Sequence, residues 1–208
     1  MTRIGAIVLA AGRASRFRAA GGLDETKLVT KLDGKPIVRM ALDAVAASRA
    51  RPIVVVTGHA RRLVEDTLAG LPTTFAFNPD FATGLASSLK VGVAAMPAGV
   101  AGAVILLGDM PRIEARLIDA LIEAFEARPH VRAAAPWRAG RRGNPVLLSR
   151  ALFEAAMRST GDEGARRLVD ALDEGEIALV AAPDDGAALD IDTPADLVIA
   201  RRLHPDRS

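Results

Sequence analysis

Two short, uninterrupted apolar runs constrain the fold of this chain more than any other feature. Ile4–Leu9 and Ala103–Leu107 contain only apolar residues and one glycine. Each run has the length of a strand rather than of a helix, and glycine follows each one closely. A strand that is apolar on both faces is typical of a parallel sheet with helices packed on both sides. The two runs therefore predict an α/β fold.

The remaining segments alternate between strand and helix patterns. Further strands are predicted at Ile53–Val56, Thr73–Phe77, Ala133–Pro136, Pro145–Leu148 and Ile177–Ala181. Helices are predicted at Pro36–Ala47, Arg61–Ala69, Ile113–Ala127, Leu152–Met157 and Glu163–Leu172, with one from Ser87 or Ser88 to Met96 and a last one beginning at Thr193-Pro194. Gly12–Thr26 has no periodicity and is predicted to be a flexible, basic loop. Repeated strand–helix units predict a doubly wound, mainly parallel, Rossmann-like sheet with helices on both faces.

Length and composition place the chain among ordinary globular proteins. The 208 residues fit one domain, expected at residues 1–203, with His204–Ser208 as a frayed tail. Cysteine is absent, which excludes disulfides, thiolate metal sites and cysteine nucleophiles. The first apolar run is too short to span a membrane and no cleavage site follows it. We therefore expect a cytoplasmic protein without a membrane partner.

The charge balance argues against a nucleic-acid partner. The 27 basic and 25 acidic residues leave a net charge of only +2, and the aromatic residues are six Phe and one Trp. Such a chain offers neither a large positive field nor many platforms on which bases stack. Most of the basic residues are arginines, but three lysines fall within nine positions, namely Lys27, Lys31 and Lys35. This local preference suggests that a compact ammonium is needed there.

Glycines and charged residues follow the predicted strands at their carboxyl ends. Gly12 opens the arginine-rich loop after the first run, Asp109 follows the second, and Asp190 and Asp192 lie in a short extended segment near the C-terminus. Ligands bind doubly wound sheets outside these strand ends, so the three regions are expected to meet in one crevice. The loop suits a phosphate chain but is equally typical of a solvated surface loop, since neither the Walker spacing nor GxGxxG is present.

The carboxylates have two interpretations each. Asp109 can bind a cation, but Gly-Asp-x-Pro is also a common turn sequence. Asp190 and Asp192 share one face of an extended segment, where they repel each other unless a positive charge lies between them. Mg²⁺ on a triphosphate would satisfy both, because it binds one or two carboxylates and completes its shell with phosphate oxygens and water. Alternatively, Asp192 only stabilises the N-terminus of the following helix.

Four segments together resemble the MobA-like nucleotidyltransferases, and within them the molybdenum cofactor cytidylyltransferases. They are Leu9–Phe17 followed by Lys27, then Leu107–Pro111, Gly143–Pro145 and Asp190–Leu197. Asn78-Pro79 with Gly84–Leu89, and Gly161–Arg166, resemble the same branch. The resemblance implies a nucleotidyltransferase fold and Mg²⁺-dependent transfer of CMP from CTP to the phosphate of molybdenum-loaded molybdopterin, with release of pyrophosphate. It also suggests a molybdoenzyme or its chaperone as a protein partner.

The resemblance assigns expected roles to individual residues. Nucleotide binding is implied for Leu9, Ala10, Ala11, Gly12, Arg13, Arg16, Lys27 and Gly108, catalysis for Arg16, Lys27 and Asp109, and metal binding for Asp109, Asp190 and Asp192. Acceptor binding is expected for Ser87, Ser88, Arg141, Arg142, Asn144 and Arg166. Ala19–Thr26 lengthens the loop relative to the family, so Lys31 is an alternative to Lys27. Ala11 stands where guanylyl relatives commonly have glycine, which favours CTP over GTP.

Two other functions stay open at this point. A nucleotidyltransferase on the same fold can act on a sugar phosphate or another small molecule, because the fold does not select the acceptor. A catalytically silent nucleotide-binding module can instead deliver a cofactor to an apoenzyme. The presence of Lys27, Asp109, Asp190 and Asp192 argues against the silent module. Metal-dependent release of pyrophosphate separates it from either enzyme. A Ser-His-Asp hydrolase is disfavoured because no G-x-S-x-G motif occurs.

Overall fold

The computed structural model describes residues 2–182 and 189–203. The strands within them are β1 Ile4–Ala10, β2 Lys31–Leu32, β3 Lys35–Pro36, β4 Ile53–Thr57, β5 Thr74–Phe77, β6 Gly102–Leu107, β7 Ala133–Arg138, β8 Arg141–Arg142, β9 Val146–Ser149 and β10 Ile177–Ala181. The α-helices are α1 Ser15–Ala19, α2 Ile37–Ala47, α3 Arg61–Thr67, α4 Leu85–Ala94, α5 Ala115–Glu126, α6 Phe153–Arg158, α7 Ala165–Asp170 and α8 Pro194–Leu203. None of these helices is long and apolar enough to cross a membrane.

Eight strands form one mixed, mainly parallel sheet. Its order is β10-β7-β9-β6-β1-β4-β5, and β8 pairs with β7. β1 is central and pairs in parallel with both β4 and β6, whereas β9 runs antiparallel between β6 and β7. The predicted doubly wound, mainly parallel sheet is confirmed. One domain over residues 1–203 stays a prediction, and His204–Ser208, predicted to fray, lie outside the described residues.

Helices cover both faces of the sheet, as predicted. On one face, α2, α3 and α5 bury residues such as Leu42 and Leu121 against Val8 of β1. On the other, α4, α6 and α7 bury residues such as Leu89 against Ile7. Neighbouring β1 residues thus point into opposite apolar layers, and all seven residues of β1 are buried. This explains why the sequence of β1 has no polar position.

A third, smaller apolar cluster lies apart from these two layers. Its buried members are Phe17, Leu32, Ile37, Ile191 and Ala200. They come from α1, the β2–β3 hairpin, the start of α2, the segment before α8, and α8 itself. The cluster therefore holds together the chain segments that follow β1 and those that end the described chain.

Two of the predictions that concern segments beside the strand ends are wrong. Gly12–Thr26 is not loop throughout, because α1 forms within it around the buried Phe17, and the cause is tertiary packing rather than local periodicity. The fourth helix begins at Leu85, before Ser87 and Ser88, so neither serine is its N-cap. Gly84 (φ 112°) precedes it in the left-handed region, and a Cβ there would lie 2.3 Å from the carbonyl oxygen of Gly161.

Candidate active site

A cavity of about 650 Å³ opens at the carboxyl ends of β1 and β6. The predicted residues that line it are Leu9, Ala11, Gly12, Arg13, Arg16, Lys27, Asp109, Asp190, Asp192 and Ser88. The three chain regions expected to meet in one crevice are therefore brought together. No atom lies within 4 Å of the Cβ position at Gly12, so the glycine leaves space at the wall.

Two predicted nucleotide-binding residues do not line this cavity. Gly108 donates its backbone N–H to the carbonyl of Leu9 at 2.9 Å. A Cβ at Gly108 would lie 3.3 Å from the Cβ of Ala10, which is itself buried. Ala10 and Gly108 thus set the close approach of β1 to the end of β6, and other residues form the cavity surface.

Lys27 lies between two of the predicted carboxylates. Its Nζ is 2.7 Å from Oδ2 of Asp109 and 2.7 Å from Oδ1 of Asp192. Only 13% of the Lys27 side chain and 13% of the Asp109 side chain are exposed, and Arg16 contacts the second oxygen of Asp192. We call Lys27, Asp109 and Asp192 the lysine bridge. Asp192 has no basic neighbour along the chain, and its positive partners are residues more than 160 positions away.

Local structure explains why Lys27, rather than Lys31, reaches the cavity. A 3-10 turn, Lys27–Val29, follows the buried Thr26, whose hydroxyl oxygen accepts a hydrogen bond from the N–H of Leu28. Leu28 packs into the core and borders the cavity, and Lys27 lines the cavity beside it. Lys31 is exposed in β2 and does not line the cavity. Despite the longer loop before it, Lys27 rather than Lys31 therefore lies at the cavity.

The lysine bridge changes the pKa of each of its members. Burial alone would lower the pKa of Lys27, but the carboxylates of Asp109 and Asp192 outweigh burial and raise it above 10.5. Burial raises the pKa of Asp109, and the contact with Lys27 offsets only part of that rise. Burial also opposes the charged form of Asp192, but Lys27 and Arg16 outweigh it and lower the pKa of Asp192. A further cation beside Asp109 would therefore favour its carboxylate form.

The carboxylates fit a divalent cation that arrives with phosphate. Oδ1 of Asp109 is buried and has no hydrogen-bond partner, so it can accept a cation, and the donors in this part of the cavity are hard oxygens. The described residues contain no group of three or more His, Cys, Asp or Glu side chains arranged to hold a metal ion. Mg²⁺ commonly needs only one or two carboxylates when phosphate oxygens and water complete its shell. The residues therefore suit Mg²⁺ shared with a triphosphate.

Another part of the cavity lining comes from two segments that touch each other. Phe81, Thr83, Gly84 and Ser88 line it together with Asp162. The buried Asn78 donates from Nδ2 to the hydroxyl oxygens of both Ser87 and Ser88, at 2.9 and 3.0 Å. Family resemblance indicated the segments of Gly84 and Asp162, but no sequence pattern indicated Phe81 or Thr83.

A second cavity, of about 330 Å³, adjoins the first. Leu107 and Asp190 line both cavities. Four of the six predicted acceptor residues line the second, namely Arg141, Arg142, Asn144 and Arg166, with Arg138 beside them. Ser87 and Ser88 do not line it. The Arg142 side chain is 18% exposed, Nη1 lies 3.4 Å from Asp170, and Nε is buried without a hydrogen-bond partner. Arginine side chains therefore dominate the charged lining of this cavity.

The family model of the MobA-like NTP transferase domain matches residues 6–176. The chain belongs to this family. Among curated MobA-like relatives, the purine catabolism protein PucB of Bacillus subtilis (strain 168) is 29% identical over 214 residues, covering 94% of this chain and 95% of PucB. The bifunctional protein GlmU of Leifsonia xyli subsp. xyli is 33% identical over 123 residues. That match covers 58% of this chain but only 24% of GlmU.

Solved structures share the fold of this chain. Rv0371c from Mycobacterium tuberculosis H37Rv is 26% identical, with a TM-score of 0.76 over 97% of this chain and 98% of its own. Rv0371C has also been obtained in complex with manganese. A nucleotidyl transferase from Methanothermobacter thermautotroptrophicus is 24% identical, with a TM-score of 0.82 over 97% of both chains, and it supports the MobA-like fold alone.

Proposed function

We propose that this nucleotidyltransferase transfers CMP from CTP to the phosphate of molybdenum-loaded molybdopterin and releases pyrophosphate. The observation that carries the proposal is the pair of adjoining cavities that share Leu107 and Asp190. The first contains the lysine bridge, and arginines line the second. Family membership supports nucleotidyl transfer, and the resemblance to the cytidylyltransferase branch supports CTP and molybdopterin as the two substrates.

In this proposal the triphosphate lies at the basic end of the first cavity. Arg13, Arg16 and Lys27 provide positive charge there, and the open space at Gly12 allows the phosphates to approach the backbone. The nucleoside then extends toward Phe81 and Ser88, which line the same cavity. We place the α-phosphate near Asp190, because this residue lines both cavities.

The reaction needs no protein nucleophile. A phosphate oxygen of the acceptor attacks the α-phosphorus of CTP in line, a new P–O bond forms, and the bond from the α-phosphorus to the oxygen bridging the β-phosphate breaks. Pyrophosphate leaves with that electron pair. The enzyme supplies alignment and neutralisation of negative charge. Lys27 and Arg16 provide this on the triphosphate, and the arginines of the second cavity hold the acceptor.

The proposal includes a divalent metal ion. Asp109, with Asp190 or Asp192, would hold Mg²⁺, and the buried, unpartnered Oδ1 of Asp109 supports this choice. When bound, Mg²⁺ would neutralise charge on the phosphates and on the leaving pyrophosphate. The manganese complex of Rv0371C supports a divalent cation in this family.

Replacing Arg142 tests the acceptor side of the proposal. Arg142→Gln is expected to raise the KM for molybdopterin by about tenfold or more, because a charge-assisted hydrogen bond contributes roughly 1.5–3 kcal/mol. The KM for CTP should change little, since Arg142 lines only the second cavity. Arg158→Gln is the matched control, because Arg158 is an exposed arginine whose partner is Glu154. An equal effect of Arg142→Gln on both KM values would contradict this assignment.

Replacing Ala11 tests nucleotide selection. Ala11 lines the first cavity and is packed beside Gly58. We expect the wild-type protein to prefer CTP to GTP, and Ala11→Gly to reduce that preference by about tenfold or more, since one methyl group in a tight pocket is worth roughly 1–3 kcal/mol. The kcat/KM values for both nucleotides provide the measurement. Equal or better use of GTP by the wild-type protein would refute CTP selection.

An acceptor panel tests the proposal against its alternatives. Pyrophosphate is measured with Mg²⁺ and CTP in the presence of molybdenum-loaded molybdopterin, metal-free molybdopterin or sugar 1-phosphates. We expect release with the loaded molybdopterin. Release only with a sugar phosphate would favour that class of nucleotidyltransferase. No release with any acceptor, despite CTP binding, would favour the catalytically silent module.

A further inference from the structure

The segment of residues 189–203 completes the first cavity from outside the sheet. Ile191 is fully buried in the third apolar cluster, and its backbone N–H donates to the carbonyl of Asp109 at 3.0 Å. Asp190 and Asp192 flank Ile191 and line the cavity. We call residues 189–203 the C-terminal segment. Its docking determines whether Asp192 can reach Lys27.

Arg112 connects this segment to two others. It lies three residues after Asp109, and only 10% of its side chain is exposed. Its Nε donates to the carbonyl oxygen of Ala200 in α8 at 3.1 Å, and its Nη2 donates to Oδ2 of Asp33 at 2.6 Å. Asp33 lies in the turn of the β2–β3 hairpin, which follows Lys27 closely in the chain. One guanidinium therefore ties together the segments that carry Asp109, Asp192 and Lys27.

The chemistry of these contacts suits arginine in particular. A nearly buried cation needs an opposite charge, and Asp33 supplies it. A planar guanidinium offers several donors in a fixed fork, so it can bind a carbonyl and a carboxylate at once, whereas the single ammonium of lysine holds such a pair less well. Neither cavity includes Arg112 among its lining residues. Its effect on the reaction must therefore pass through the residues that it positions.

We propose that Arg112 is a positioning residue, which docks the C-terminal segment so that Asp192 stays in the lysine bridge. Loss of Arg112 leaves the segment held by Ile191 and Ala200 in the third apolar cluster and by the ion pair between Arg201 and Asp33. Asp192 then spends less time beside Lys27 and Arg16. The kinetic part of this inference rests on the proposed function, whereas the docking part does not.

Hydrogen exchange tests the docking. Arg112→Met is expected to increase deuterium uptake in peptides covering residues 189–203 relative to the wild-type protein. Asp33→Asn should also increase uptake there, because it removes the carboxylate charge that pairs with both Arg112 and Arg201. Asn tolerates the left-handed backbone at this position (φ 51°), so the hairpin turn is kept. Arg49→Met is the matched control, since Arg49 pairs with Asp119, Glu123 and Glu126 and lines neither cavity. Unchanged uptake in Arg112→Met would overturn the proposal.

A double-mutant cycle tests whether Arg112 acts through Asp192. Arg112→Met is expected to lower kcat by about tenfold in the wild-type background but by less than about threefold when Asp192→Asn is already present, because residues that act as a unit are not additive. Equal losses in both backgrounds would indicate a general structural role and overturn the proposal. If the wild-type protein forms no pyrophosphate, the proposed function fails, and the exchange experiment still decides the docking.

Discussion

Asp109→Asn is expected to abolish measurable pyrophosphate release while the protein stays folded. The substitution keeps the shape of the side chain but removes the buried, unpartnered oxygen charge that the proposed metal site requires. It also removes one of the two carboxylates that position Lys27. We expect kcat to fall by at least about a hundredfold, since even the outer-shell partners of a metal contribute up to that much. Steady-state kinetics and thermal melting, measured on the same preparation, provide the comparison.

The control for Asp109 is another paired aspartate. Asp43 forms ion pairs with Lys35 and Arg39 and lines neither cavity. Asp43→Asn should keep nearly full activity, because Asp43 lies outside both cavities and its partly exposed ion pairs contribute little to stability. If Asp109→Asn retained activity within a few-fold of the wild type, Asp109 would be a turn residue only, and the proposed metal site would be wrong.

Lys27→Ala is expected to produce the second large loss. In the proposal its ammonium, positioned by the two carboxylates, neutralises charge on the triphosphate and stabilises the developing negative charge. Loss of one such stabilising contact costs about 10²–10³ in kcat. Lys27→Arg should recover only part of the activity, because the wider guanidinium does not fit a position enclosed by Asp109 and Asp192. The kcat values of both variants, with saturating CTP, provide the test.

Two controls separate catalysis from folding in the Lys27 variants. Lys31→Ala should retain activity, since Lys31 is exposed outside the cavity. Removing Lys27 leaves Asp109 buried without its ion-pair partner, which costs up to about 3–5 kcal/mol of folding free energy. The melting temperature of Lys27→Ala therefore has to be compared with the assay temperature. An inactive Lys31→Ala beside an active Lys27→Ala would show that the longer loop has moved the role to Lys31.

Local patterns predict the sheet well, because its strands are short and apolar. β1 and β6 are recognisable in the sequence because both of their faces are buried. Locating the ends of these two strands also located the charged residues that follow them. The helix α1 was not predicted, because it depends on Phe17 packing against Leu32 and Ile191 from distant parts of the chain. The start of α4 depends likewise on the contact between Gly84 and Gly161. Such boundaries are determined by tertiary contacts that no local pattern contains.

In the candidate site, too, local patterns predict some residues, whereas others depend on contacts between distant parts of the chain. Strand ends indicated Asp109, Asp190 and Asp192, and the repulsion between Asp190 and Asp192 indicated that a positive charge lies nearby. The sequence did not show that Lys27 occupies that place, because the pairing joins residues 165 positions apart. Arg112 could not be predicted as a site residue at all, since its partners Asp33 and Ala200 are distant in sequence.

One measurement tests the central claim most directly. The protein is incubated with Mg²⁺ and, separately, CTP, GTP, UTP or ATP, with and without molybdenum-loaded molybdopterin, and pyrophosphate is followed over time. The proposal predicts release only when CTP, Mg²⁺ and the molybdopterin are present together, with molybdopterin cytosine dinucleotide as the second product. Release that does not depend on the molybdopterin, or none from any nucleotide with it, would contradict the account.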